Sequence, residues 1–237
     1  MAREWRTAVL THVEDSTPGN KRFFFTVKEE GTFEFKAGQF VTFDLPIDDK
    51  VRLRSYSIAS APADGNEFEL IVVRVPDGKG TGYLFSDVKG SEFRFIGPYG
   101  KFLLPENTDS DLCFIGTGTG VAPLRSMIHQ IMKAGLPYQS ITLVFGCRTE
   151  QDILYNDEFT ALARENPRFR FIPTLSRAGD HWQGERGYVH DVYLKAFADG
   201  RPAQFFICGL NKMVSQCREN LAGLGYEKPV IHFEKYD

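Results

Sequence analysis

Short β-rich runs crowd the first hundred residues of this chain, and after residue 111 the texture changes to apolar β runs that alternate with helical stretches. In the first part, RFFFTVKE (22–29), QFVTFDL (39–45), RLRSYSIAS (52–60), FELIVVRV (68–75) and EFRFIGP (92–98) are punctuated by Pro18-Gly19-Asn20, Ala37-Gly38, Asp64-Gly65-Asn66 and Pro76-Asp77-Gly78. Close spacing with turn chemistry between runs predicts an antiparallel barrel or sandwich. The polar segment PENTDSD (105–111) reads as a linker. Beyond it, DLCFIGT, SITLVFG, RFRFIPTLS, QFFICG and PVIHFE read as strands, with helices expected near 123–134, 156–165, 189–198 and 211–224. That alternation predicts a parallel α/β sheet with crossover helices. Two domains are therefore expected, 1–105 and 111–237.

At 237 residues, 42% of them hydrophobic, the chain can bury a full core. A net charge of -3 removes the basic footprint of a nucleic-acid binder. No apolar run approaches the roughly 18 residues of a membrane span. The N-terminus, MAREWRTAVLTHVED, carries charges where a signal peptide needs an apolar core. A cytoplasmic protein without membrane insertion is expected. Cys113, Cys147, Cys208 and Cys217 are too far apart for metal or iron-sulfur ligand pairs, so no metal is expected and free thiols are the default.

The strongest local signal is CFIGTGTGVAPLRSMI, where a strand ends in Gly116-Thr117-Gly118-Thr119-Gly120 and Pro123 falls in the first turn of a helix. Glycines there let backbone N–H groups approach a pyrophosphate at the positive end of the helix. The spacing is neither G-x-G-x-x-G nor a P-loop, so these residues alone say phosphate near a helix. A glycine turn kept for strand–helix packing is the plain alternative. In the β-rich part, Arg54-Ser55-Tyr56-Ser57 sits in an alternating run that sets Arg54 and Tyr56 on one strand face. A ring beside a guanidinium suits a flat heterocycle bearing phosphate, and it also suits an exposed cross-strand pair.

Taken together and in order, RSYS, GPYGKF, GTGTGVAP, ICGLNKM and HFEKY resemble the ferredoxin-NADP reductase superfamily over nearly the whole chain. VVRVPDGKGTGYL is similar to the bacterial ferredoxin or flavodoxin reductase branch, whereas HWQGERGYV is closer to reductase components of oxygenases. The resemblance implies a flavin-binding β-barrel followed by a nucleotide-binding domain, with FAD and NADPH as cofactors, NADH being the other possibility, and no iron-sulfur domain.

Carried onto this chain, the resemblance gives Arg54 the flavin pyrophosphate, Tyr56 the isoalloxazine face and Ser57 a place near flavin N5. A regular strand would point Ser57 away from Arg54 and Tyr56, so that place requires an irregularity at the strand end. Ser55 belongs to the same motif. Lys79, Gly80 and Thr81 would wrap the flavin phosphates in a glycine-rich turn. Cys208 and Gly209 would lie at the nicotinamide site, Glu234 in the proton network around N5, and Tyr236 over the flavin face. Asp237 extends the chain one residue past that tyrosine. Ser176, Arg177, Arg186 and Tyr188 resemble the set that grips the 2'-phosphate of NADPH, and a charged surface loop is the plain alternative there. Catalytic candidates are thus Ser57, Cys208, Glu234 and Tyr236. The implied partner is a one-electron acceptor protein, a ferredoxin, a flavodoxin or an oxygenase component. Other readings are an NAD(P)H:flavin reductase, the reductase component of an oxygenase, or a non-turnover nucleotide-binding subunit.

Overall fold

The computed structural model describes residues 4–63, 65–86 and 88–236; Asp64 of the 64–66 turn and Asp237 lie outside them. Six strands, β1 (Trp5–Thr17), β2 (Asn20–Val27), β3 (Phe40–Asp44), β4 (Leu53–Ser57), β5 (Glu67–Val73) and β6 (Glu92–Tyr99), form an antiparallel sheet in the order β4-β3-β6-β1-β2-β5. An Ile58–Leu70 bridge draws the two edge strands together and curls the sheet into a barrel. Alternation fills the interior: Phe23, Phe25, Phe43, Phe68, Phe93 and Phe95 are all buried, with Phe25 and Phe43 4.9 Å apart. Each contributes about 1.5–3 kcal/mol by leaving water. A short helix, α1 (Lys79–Leu84), crosses between β5 and β6. It corrects the expected turn at residues 79–81: Thr81 Oγ1 accepts from the Val75 amide and closes the turn at 75–78 ahead of it, and the chain then coils.

The second sheet comprises β7 (Asp111–Thr117), β8 (Ser140–Cys147), β9 (Phe169–Leu175), β10 (Glu185–Arg186), β11 (Ala203–Leu210) and β12 (Ile231–Tyr236), all parallel, in the order β10-β9-β8-β7-β11-β12. The helices are α2 (Val121–Ala134), α3 (Asn156–Glu165), α4 (Val189–Ala196) and α5 (Asn211–Gly223). Leu112 to Ile115 and Ile141 to Phe145 are continuous buried runs, as strands covered on both faces require. The order reverses between β7 and β11, which opens a crevice beyond their carboxyl ends. An apolar core joins Ala37, Ala59, Ile71 and Phe102 of the N-terminal half to α2 through Val121, Ala122 and Met127. All four cysteines are free thiols. Among the described residues no helix is long and apolar enough to cross a membrane.

Candidate active site

Two cavities border the turn that follows β7, one at Thr119 and one at Thr117. The first, about 520 Å3, is walled by Arg54 to Ser57 of β4, by Ile71 to Val73 of β5, by Lys79 to Thr81, and from the other domain by Thr119, Ala122 and Tyr236. The four motif residues all reach it at the end of β4, which pairs with β3 in regular register up to Phe40–Ser57. Arg54 Nη2 lies 2.7 Å from Asp49 Oδ2, and Lys79 Nζ donates to the Asp48 carbonyl, so two cations converge on one loop. Gly80 sits against Arg54; a Cβ there would stand 3.2 Å from Arg54 Cγ. Ser55 Oγ lies 2.8 Å from Thr42 Oγ1. Burial pushes the Tyr56 phenol up to about 12, so its ring is a neutral, apolar wall.

Ser57 is 8% exposed and joins the domains. The Tyr236 hydroxyl donates to Ser57 Oγ at 2.8 Å, and Ser57 Oγ donates to Glu234 Oε2 at 3.2 Å. Ser57, the last residue of β4, thereby meets two side chains of β12. Burial raises the Glu234 carboxyl above its ordinary value, against the Ser57 hydrogen bond. In register, Cys208 lies between Gly116 on β7 and Glu234 on β12. Burial, with the Glu234 charge beside it, pushes the Cys208 thiol well up and keeps it protonated.

The second cavity, about 480 Å3, lies at the carboxyl ends of β7, β8, β9 and β11 and is lined by Thr117, Arg148, Ser176, Tyr188, Leu210 and Lys212 among others. Of the four residues expected at a 2'-phosphate, Ser176 and Tyr188 line it, and Tyr188 is 67% exposed. Arg177 and Arg186 are not on its wall. Arg186 Nη2 donates to the carbonyls of Gly179 and Trp182, each at 2.9 Å, and organises its own loop. Arg148 and Lys212 are cations on this wall that sequence reasoning missed. The available signal was a charge placed directly after a parallel strand, as in GCR, and at the start of a helix, as in LNK.

The residues fit a flavin and a dinucleotide. The helical turn Gly118–Gly120, which runs on into α2, has no side-chain cap, which leaves its first backbone donors for an anion. Among the described residues, Thr117 Oγ1 is the buried side-chain oxygen that lacks a hydrogen-bond partner, and it borders the second cavity. A Cβ on Gly209, at φ +151°, would stand 2.4 Å from that oxygen, and one on Gly120 would stand 2.4 Å from the Cys208 carbonyl. Only glycine admits these approaches.

Family models match in the same order: an oxidoreductase FAD-binding domain over residues 7–103 and an oxidoreductase NAD-binding domain over 114–219. Fold and site thus define a flavoprotein oxidoreductase that uses FAD and a nicotinamide dinucleotide. Ferredoxin--NADP reductase B of Sorangium cellulosum is 41% identical over 97% of this chain and 97% of its own length. The reductase component of phenol 2-monooxygenase from Pseudomonas sp. (strain CF600) is 37% identical over 79% of this chain, which spans 54% of that relative's length. Among solved structures, a cytochrome P450 reductase of Amycolatopsis superposes with a TM-score of 0.88 at 28% identity, covering 99% of this chain and 71% of that one. A ferredoxin NADP+ reductase of Neisseria gonorrhoeae with bound FAD and NADP gives 0.80 at 24% identity over 99% of each chain and shows the shared fold. The chain belongs to the ferredoxin-NADP reductase family.

Proposed function

We propose that this enzyme takes a hydride from NADPH onto FAD and passes the electrons singly to a separate carrier, a ferredoxin or a flavodoxin, in the cytoplasm. The observation that carries this is the Tyr236–Ser57–Glu234 contact, where the last strand of one domain closes the flavin-sized cavity of the other. Bound FAD would supply the step between a two-electron donor and a one-electron acceptor. Arg54, Lys79, Gly80 and Thr81 bind its phosphates, and Tyr56 packs on the ring. Ser57 and Glu234 hold a proton near the reacting edge, and Tyr236 covers the face that nicotinamide must reach. Gly116, Thr117, Gly118, Thr119 and Gly120 receive the dinucleotide's diphosphate, while Cys208 and Gly209 border its nicotinamide end. Ser176 and Tyr188, together with Arg148, select the 2'-phosphate; Arg177 and Arg186 shape the loop beside it. The domains would divide between residues 105 and 111.

The test is ferricyanide reduction with NADPH and with NADH by the FAD-loaded protein, followed by a screen of purified ferredoxins, flavodoxins and oxygenase components. NADPH preference and reduction of a ferredoxin or flavodoxin are expected. Failure of both nucleotides to reduce the flavin overturns the reading. The match to the phenol 2-monooxygenase reductase component favours one second reading, delivery to an oxygenase, and the same screen separates the two.

A further inference from the structure

Apart from the residues assigned to either cofactor, the two domains are joined by a buried polar cluster. Arg125, in the second turn of α2, is 9% exposed. Its Nη1 donates to the Ala59 carbonyl at 2.8 Å and to Glu69 Oε2 at 3.0 Å, both across the domain boundary. Its Nε and Nη2 form a fork on Glu158 of α3, at 2.7 and 2.8 Å. Glu69, on β5 and 4% exposed, also accepts from Arg22 at 2.7 and 3.1 Å and from the Tyr155 hydroxyl at 2.8 Å. The Tyr155 ring lies 5.4 Å from the Arg22 guanidinium and 4.4 Å from that of Arg125. One residue further along α2, Ser126 Oγ donates to the Ser60 carbonyl at 2.7 Å.

This cluster shares α2 and β5 with the walls of the first cavity. Ala122, one helical turn before Arg125, lines the cavity, and so does Ile71, two residues after Glu69 on the same strand. A guanidinium anchored along two edges resists rotation in a way that a single bond does not. We propose that Arg125 is a positioning residue for hydride transfer. By holding Ala59 and Glu69 of the barrel with one edge and Glu158 with the other, it sets the angle at which α2 and the preceding glycine loop face the flavin. This rests on the function proposed above.

Arg125→Met leaves Glu69 with Arg22 and Glu158 with His129, 2.7 Å away, so no buried carboxylate is stranded. The expected result is full FAD content and unchanged reoxidation by ferricyanide, with flavin reduction at saturating NADPH at least tenfold slower. Arg125→Lys, which keeps the charge without the fork, should fall between. In the flavin-free protein, hydrogen exchange of the amides in residues 121–134 should be at least tenfold faster in Arg125→Met. Should that variant not fold, Tyr155→Phe removes one hydroxyl from the cluster and should change reduction and exchange in the same direction by a few-fold. Reduction within twofold of wild type, slow reduction with unchanged exchange, or loss of FAD would each overturn the proposal. If wild type itself is not reduced by NADPH, the functional reading fails, while exchange in the flavin-free protein still decides whether Arg125 couples the domains.

Discussion

Ser57 receives a proton donor from Tyr236 and offers its own to Glu234, so one hydroxyl fixes the direction of a three-residue chain. Burial raises the Glu234 carboxyl, so its protonated form persists above the usual carboxylate range and declines as pH rises through the folded value. Turnover that draws on this proton should fall over that rise, and Glu234→Gln should flatten the pH profile of flavin reduction measured by stopped flow. Tyr236 should compete with nicotinamide for the flavin face. An aromatic contact of this kind contributes about 0.5–1.5 kcal/mol. Tyr236→Ser should therefore tighten NADP binding by roughly two- to tenfold, seen as a lower midpoint and a new charge-transfer band in flavin difference spectra. Motif residues such as Arg54 to Ser57 were legible because neighbours in sequence line one cavity. Arg148 and Lys212 were not, because their cleft is assembled from the ends of four strands far apart in the chain.

At the level of elements, β1 escaped the sequence reading. Its alternation reaches burial only at Ala8 and Leu10, and irregular pairing after Leu10 and Asp15 interrupts the period. The parallel strands were legible because burial on both faces leaves uninterrupted apolar runs. Helix α2 begins at Val121, two residues before the expected start, because it continues the helical turn Gly118–Gly120, whose last residue lies against β11. Gly120→Ala would press a methyl into the Cys208 carbonyl and should destabilise by about 1–3 kcal/mol, read as a lower Tm. Helices α2 and α3 are tied by Glu158. Burial works against its charge, but hydrogen bonds from His129 and Arg125 hold its carboxyl down at about 2. A carboxyl lowered in the fold stabilises above its unfolded value and loses that contribution as pH falls. Urea midpoints should thus decline between about pH 4.5 and 2, and Glu158→Gln should shrink that decline while lowering stability at neutral pH.

At the scale of the whole molecule, the halves are not independent beads. The apolar core that packs Ala37, Ala59, Ile71 and Phe102 against α2 is flanked by the Arg125 cluster and by the Ser57 contacts. Flavin-free protein should accordingly unfold in one calorimetric transition, with calorimetric and van't Hoff enthalpies in agreement; two resolved transitions would contradict this. The change of texture near residue 105 made two domains legible, whereas the angle between them rests on side chains such as Glu69 and Tyr155 that carry no motif. Ser57 meets Glu234 and Tyr236 across 177 and 179 positions. In the order of synthesis, the barrel emerges first and waits for nearly the whole remaining chain before its cavity is closed. A ribosome that stalls before β12 leaves Ser57 without either of these two partners.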